Sequence, residues 1–310
     1  MFNYYIYRFG QFLALTLPLR LAYFLASFLA QGYYLFALRD RRNVKANLRT
    51  IFPAKSNRQL RKISRMIFRN FAKYLVDFFR FEKLDRQLID KNIKLENLHY
   101  FDEALAKGNG VVVLTAHLGN WELGGVVIAQ LGYPFWAVAL PHKNKKVNDF
   151  FDAQRNRKGV KVIAMGKAVR SCITQIRHGN MVALVGDRDF TEKGIVIDFF
   201  GRPTHFPEGP AALSLMTGAS IVPGFMLRNP DNSFTLRIEK PIEFSPTGNK
   251  TQDLADLIGV YKNIFQDYIS KYPEQWYVFR KFWVELSPSS GPVRSGAPRR
   301  GASYGAGRVK

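Results

Sequence analysis

One cysteine stands in the whole chain, Cys172, so no internal disulfide can form. Neither a CxxC pair nor a cluster of cysteine and histidine is present, and no structural zinc site or other metal is expected. Cys172 lies in SCITQI, a helix-like stretch with no second motif around it, and reads as core filler. The one GxSxG, GASYG at 301–305, falls in the Gly-rich tail with no apolar strand before it, so no nucleophile elbow of an α/β-hydrolase is expected. No GxGxxG follows the first strand, which excludes a dinucleotide-binding unit. Acids are scarce: 24 Asp and Glu face 46 Lys and Arg, for a net charge of +22. That excess comes without zinc-finger spacing, an RNP-like aromatic motif or a basic-zipper heptad, so no nucleic-acid partner is expected.

The basic residues are unevenly placed. Between Arg39 and Lys73 stand twelve basic residues and one acid, Asp40, so half of the net charge lies in about a ninth of the chain. Such a block calls for an anionic partner, and an anionic membrane surface is the expected one. Just before it, Leu21–Leu38 (LAYFLASFLAQGYYLFAL) carries no charge. At 1.5 Å per residue this run covers about 27 Å, close to the ~30 Å hydrocarbon core of a bilayer. Three readings stay open: a spanning helix with Tyr23, Tyr33 and Tyr34 at the interfaces, an amphipathic anchor lying in the interface, or a core helix. Gln31 and the upstream Arg20 make the span imperfect. If the run spans, the arginines after it place the remainder in the cytoplasm. A cleavable signal peptide is not expected, because the pattern of basic, apolar and small-residue regions is missing.

A long helix is expected over Ser56–Leu84, opened by Ser56 or Asn57 just after Pro53. Arg58, Lys62, Arg65, Arg69 and Lys73 recur at helical spacing as one cationic stripe, opposite an apolar face that includes Leu60, Ile67, Phe71 and Phe78. Preceded by an apolar run and unbalanced by acids, the stripe reads as a membrane-surface contact.

From Asn92 the periodicity changes. Short apolar runs (VVVLTAH, FWAVAL, VKVIAM, MVALVGD) alternate with amphipathic stretches that end in Gly108, Gly132, Gly159 and Gly179, where helix C-terminal glycines belong. The fold class is therefore α/β, a mostly parallel sheet covered by helices. Four regions are expected: an anchor over 1–38, a basic amphipathic helical region over 39–91, a catalytic domain over 92–286, and a disordered basic tail over 287–310, rich in Gly, Pro and Ser.

The chemistry is concentrated in Val111–Glu122, VVVLTAHLGNWE. His117 ends a buried strand, the place where open α/β sheets bind ligands. Leu118, Gly119 and Asn120 suit a turn that brings Glu122 back toward His117. A carboxylate on one ring nitrogen fixes the tautomer and raises the basicity of the other, as a base acting on an alcohol requires. His99, His142, His178 and His205 have no carboxylate at such a spacing.

HLGNWE resembles the HxxxxE motif of the bacterial lipid A biosynthesis acyltransferases, the lauroyl and myristoyl transferases, within the wider glycerolipid acyltransferase group. VALVGDRDFTEKGIVIDFFGRPTHFPEGPAALSLMTGASIVP resembles that family's DQD, FFG, GPA and TGA…VP segments in order. NVKANLRTIFP resembles its entry segment and PEQWYVFRKFW its closing one, so the likeness covers roughly residues 5–285. One departure stands out: the usual DQD is DRD here, Asp187-Arg188-Asp189. That variant also resembles the related acyltransferases that act on phosphatidylinositol mannosides.

The resemblance implies transfer of a fatty acyl group from a thioester, on acyl carrier protein or coenzyme A, to a hydroxyl of a membrane glycolipid. The expected acceptor is a lipid A precursor, or else a phosphatidylinositol mannoside. His117 is the implied base and Glu122 its orienter. Arg155, with Arg157 as its rival, is the candidate for an oxyanion or acceptor phosphate. Asp187 reaches the same sheet edge, to anchor Arg155 or orient His117. Arg188 and Asp189 are candidates for shaping the acceptor site, and Gly209-Pro210 for presenting backbone N–H groups to the ligand. No cofactor is implied. The implied place is the inner membrane, with the catalytic domain on its cytoplasmic face. A non-catalytic protein that binds anionic lipid is the competing reading, which a product assay separates.

Overall fold

The computed structural model describes residues 2–165, 168–189 and 194–283. Four helices lead the chain: α1 (Phe2–Thr16), α2 (Leu19–Phe36), α3 (Leu38–Ile51) and α4 (Asn57–Phe79). After α5 (Arg86–Asn92) come β1 (Ile93–Glu96), α6 (His99–Ala106), β2 (Val111–Thr115), α7 (Trp121–Gln130), β3 (Phe135–Ala139), α8 (Lys145–Asn156), β4 (Lys161–Ala164), α9 (Ala168–Arg177) and β5 (Met181–Val185). A hairpin of β6 (Ile195–Phe199) and β7 (Arg202–Phe206) precedes α10 (Gly209–Thr217), β8 (Ser220–Arg228), β9 (Phe234–Ile238) and α11 (Lys250–Lys271).

The main sheet has seven strands in the order β1-β9-β8-β2-β5-β3-β4. The block β8-β2-β5-β3-β4 is parallel throughout, while β9 runs antiparallel to β8 and carries β1 beside it. The mostly parallel sheet expected from the βα alternation is thus present, with antiparallel strands confined to one side. Helices cover both faces, which is why β2 is apolar at consecutive positions. Val111, Val113 and Phe135 pack with Val126 and Val127 of α7 on one face, while Val112, Leu114 and Val182 pack with Cys172, Leu213 and Phe265 on the other. Cys172 is buried there, and burial pushes its thiol up to about 11, which suits core filling.

Helix α4 opens with a capping box: Ser56 Oγ accepts from Gln59 N, and Gln59 Oε1 accepts from Ser56 N. Leu60, Ile67, Phe68 and Phe78 are buried, whereas Arg58, Lys62, Arg65 and Arg69 are exposed. Lys73 leaves the expected stripe: it is half-buried and donates to Asn232 Oδ1 at 2.6 Å. The helix stops at Phe79, and Leu84 follows a short 3-10 turn.

The uncharged run Leu21–Leu38 is not one straight helix. Helix α2 ends at Phe36, where Ala37 takes φ −76° and ψ 58°, and α3 departs at 93°. Among the described residues no single helix is long and apolar enough to cross a membrane, and only the bent pair α2–α3 meets that requirement by length and composition. Packing explains the geometry. One face of α2 (Ala22, Tyr23, Ala30, Tyr34) is buried, and the helix packs along α4; the other leaves Phe24 at 68% and Phe36 at 83% exposed. The expected tail over 287–310 lies outside the described residues.

Candidate active site

Strand β2 pairs with β5 in the register Thr115↔Val185. Continuing both strands by two residues sets His117 opposite Asp187, and there the two side chains meet. His117 Nδ1 lies 2.6 Å from Asp187 Oδ1, which also accepts from the His117 backbone N–H at 3.1 Å. Asp187 Oδ2 accepts from Trp276 Nε1 at 2.9 Å. Burial of Asp187 would raise its carboxyl, but the imidazole, its hydrogen bond, Arg188 and the Trp276 N–H outweigh that and hold it below the usual carboxylate range. An ionised carboxylate only accepts, so Nδ1 carries a proton and donates to Asp187.

The turn after His117 is held on several sides. Gly119 takes φ +66°, and a Cβ there would stand 2.0 Å from the Met226 carbonyl oxygen, so only glycine passes. Gly119 N–H donates to Gln275 O, Asn120 N–H to Met226 O, and Tyr277 N–H to His117 O. Leu118 bridges to Trp276. Asn120 caps α7 by accepting from Leu123 N at 3.1 Å.

Glu122, the expected orienter of His117, is instead clamped by Arg155. Arg155 Nη2 and Nε donate to Glu122 Oε1 and Oε2 at 2.6 and 2.8 Å, and a third bond reaches Asp152 at 3.2 Å. Burial alone would lower the Arg155 guanidinium, but the charge and hydrogen bonds of Glu122 dominate and hold it protonated. The cause of the difference is the fold: Glu122 lies on the first turn of α7, which faces α8, whereas Asp187 comes from the neighbouring strand. Of the two roles open to Asp187 from sequence, contact with His117 is the one present.

A cavity of about 620 Å³ opens at the carboxyl ends of the central strands. It is lined by His117, Glu122, Arg155, Arg188, Asp189 and Gly209-Pro210, which opens α10. Arg157 is exposed at the end of α8 and is not part of the lining. Arg188 donates to Tyr277 O at 3.2 Å, and Asp189 accepts from Gly194 N–H at 2.6 Å.

One lobe of the cavity runs between α7 and the sheet. The small residues Gly124, Gly125, Ala137, Ala139 and Ala183 leave it open. Phe135 lies at the level of Val111, through Met181, and its ring comes within 3.0 Å of where a Cβ on Gly125 would stand, closing the far end. The six residues from that level to His117 correspond to about 20 Å at 3.3 Å per residue. Half of a ~30 Å hydrocarbon core, the length of one acyl chain, is shorter. The lining along this stretch is apolar, as a fatty acyl chain requires.

Sequence reasoning missed Trp276 and Thr115. Thr115 Oγ1 is buried, lines the cavity and has no hydrogen-bond partner among the described residues. Its place two residues before His117 on a strand, and so on the same face, was a usable signal. Among the described residues no group of three His, Cys, Asp or Glu is arranged to hold a metal ion.

The family model for bacterial lipid A biosynthesis acyltransferases matches residues 1–285. The phosphatidylinositol mannoside acyltransferase of Mycolicibacterium smegmatis is 26% identical over 69% of this chain and 70% of its own length. The lipid A biosynthesis acyltransferase of Haemophilus influenzae is 22% identical over 77% and 74%. The lipid A biosynthesis palmitoleoyltransferase of Escherichia coli K12 is 26% identical over 77% of each chain.

Proposed function

The chain belongs to the bacterial lipid A biosynthesis acyltransferase family, and we propose that it moves a fatty acyl group from the thioester of acyl carrier protein or coenzyme A to a hydroxyl of a lipid A precursor. The observation that carries this reading is the His117–Asp187 contact at the mouth of a largely apolar cavity of about 620 Å³.

In this reading Asp187 holds the imidazole with Nε2 basic. His117 Nε2 takes the proton of the acceptor hydroxyl as its oxygen attacks the thioester carbonyl carbon. The imidazolium formed is stabilised by Asp187. The Thr115 hydroxyl, buried on the cavity wall without a hydrogen-bond partner among the described residues, is the candidate donor to the developing oxyanion. When the tetrahedral intermediate collapses, the carbon–sulfur bond breaks and the imidazolium returns its proton to the departing thiolate. The products are an ester and a free thiol, so the protein ends unchanged. Glu122 and Arg155 act together as a buried ion pair that fixes the wall beside His117.

The body sits on an anionic membrane surface, at the cytoplasmic face of the inner membrane, with α2 and the cations of α4 toward the lipid. The motive is the exposed Phe24 and Phe36 of α2 together with the exposed Arg65 and Arg69 of the α4 helix it packs along.

A second acceptor, a phosphatidylinositol mannoside, is favoured by one observation. Arg188 replaces the glutamine of the family's usual motif, while identity to the phosphatidylinositol mannoside acyltransferases and to the lipid A palmitoleoyltransferase is the same 26%. The deciding assay offers purified protein both thioester donors and both acceptors, with ester product read by mass spectrometry. Product on the lipid A precursor supports the first reading, and product only on the mannoside supports the second. No ester with any pair overturns both and leaves the non-catalytic lipid-binding reading. Mass spectrometry of membrane lipids from a deletion strain supplies the same answer in the cell.

A further inference from the structure

Away from the reacting groups lies a buried polar cluster that the chemistry above does not use. Its centre is Asp77 on α4, 8% exposed. Asp77 accepts from Tyr23 of α2 and from Arg228 at the end of β8, both in short contacts, and its Oδ2 accepts from Asn120 Nδ2 at 2.9 Å. Arg228 also donates to the Tyr23 hydroxyl at 3.1 Å. The backbone of Arg228 is fixed in turn by Gln275, whose side chain makes two bonds to it at 2.9 Å. Gln275 O is the acceptor for Gly119 N–H. Asn120 and Gly119 belong to the turn between His117 and α7. Three elements far apart in sequence thus converge on the segment that aims the base.

An isolated charge at this depth is costly, and a paired one is no better for stability than well-packed apolar residues. A buried ion pair bonded to the catalytic turn therefore needs a reason beyond stability. We propose that Asp77 is a positioning residue for the reaction: through Asn120 it fixes the His117–Asn120 turn, and through Tyr23 it ties that turn to helix α2. The proposal rests on His117 as the base. Asn120 spends its oxygen on the α7 cap and its amide on Asp77, so the side chain cannot rotate without losing one of them.

The test compares full-length wild type, Asp77→Asn, Asn120→Ser and the double variant, with acyl thioester donor and acceptor lipid in mixed micelles. Wild-type turnover comes first: if it is absent, the acyltransfer reading fails before this one is reached. With wild type active, kcat per folded molecule should drop about 100-fold in Asp77→Asn, the scale of a ~1 Å misplacement of reacting groups. KM for the donor should change much less, because the acyl slot is untouched. Asn120→Ser keeps a capping hydroxyl but ends short of Asp77, so it should lose activity similarly. The double variant should be no worse than the worse single, since both cut one link. Losses that multiply, or kcat per folded molecule near wild type in either single variant, overturn the proposal. If Asp77→Asn does not fold, Tyr23→Phe takes its place, with a smaller fall in kcat at unchanged KM expected and a wild-type kcat overturning it.

Discussion

Asp187 accepts two hydrogen bonds from one residue, His117: one from the backbone N–H at 3.1 Å and one from the imidazole Nδ1 at 2.6 Å. A single carboxylate oxygen therefore fixes both where His117 leaves the strand and which ring nitrogen carries the proton. His117→Ala should lower kcat by about 10²–10⁴-fold, the worth of a general base. Asp187→Asn keeps the shape but lets the ring take the wrong tautomer, and the loss should reach the same range. Steady-state rates of folded variants check both. A His117→Ala enzyme with near-normal kcat would remove the base.

The same contact makes stability depend on pH. The folded Asp187 carboxyl is held below its ordinary value of 3.8. A depressed acid contributes stability above its unfolded pKa and loses it as pH falls through the folded one. The gap in unfolding free energy between wild type and Asp187→Asn should thus be widest above about pH 5 and close progressively below about pH 4. Urea titrations across that range measure it, and a gap that widens on acidification would contradict the assignment.

Glu122 and Arg155 are expected to behave as an ion pair with side chains only 15% and 10% exposed. Glu122→Gln leaves the guanidinium buried without its counter-charge, which costs on the order of 3 kcal/mol in such settings. The expected signature is a lower Tm, with a pH–rate profile close to wild type. If Glu122→Gln instead kept its Tm and reproduced the kinetic defect of Asp187→Asn, Glu122 would have to act on His117 directly.

Phe135, buried at 4% exposure, lines the cavity at the far end of the proposed acyl slot. Phe135→Ala should extend the slot and shift donor preference toward longer chains, each added methylene gaining about 0.8 kcal/mol if fully buried. A competition assay with thioesters of graded length reads the shift. An unchanged profile in a folded variant would place the chain elsewhere.

These particulars show what the sequence carried. The strand leading to His117 was legible because apolar β-branched residues stop abruptly near a polar one, although it ends at Thr115, two residues earlier than expected. Helix α4 was legible from its cap and its two faces. The partner of His117 was harder to choose, because strand order decides it: β5 lies beside β2 although 70 residues separate Asp187 from His117. Glu122, near in sequence, was the natural but local choice. Asp77 carries no local motif, and Trp276, though inside the family-like segment PEQWYVFRKFW, gives no local sign of its partner; the fold alone brings each to the turn after β2. The length and apolarity of Leu21–Leu38 suited a span, whereas packing against α4 and the charges starting at Arg39 bend it after Phe36.

The cations of α4 make the remaining prediction. Arg58, Lys62, Arg65 and Arg69 are exposed, and none forms an ion pair with a carboxylate among the described residues. With Arg61 and Gln31 they line a groove between α4 and α2, whose outer side presents Phe24 and Phe28. Cations beside exposed aromatic rings suit an anionic lipid surface, where the rings enter the interface and the charges meet phosphates. Each basic group near such a surface contributes about 1 kcal/mol. Arg65→Glu/Arg69→Glu both removes attraction and adds repulsion, so vesicle binding should weaken by about 3 to 4 kcal/mol at low salt. Added salt should shrink the difference, because exposed charges are screened beyond about 8–10 Å. Neither arginine lines the catalytic cavity, so the maximal rate at saturating substrate should change far less than the apparent KM. Vesicle flotation and kinetics in mixed micelles of graded anionic content, with acyl carrier protein and coenzyme A thioesters compared, measure both. A loss confined to the carrier-protein thioester would assign the groove to that acidic protein. A salt-independent collapse of the maximal rate in a folded variant would mean that these arginines reach the chemistry, and the docking role would fall.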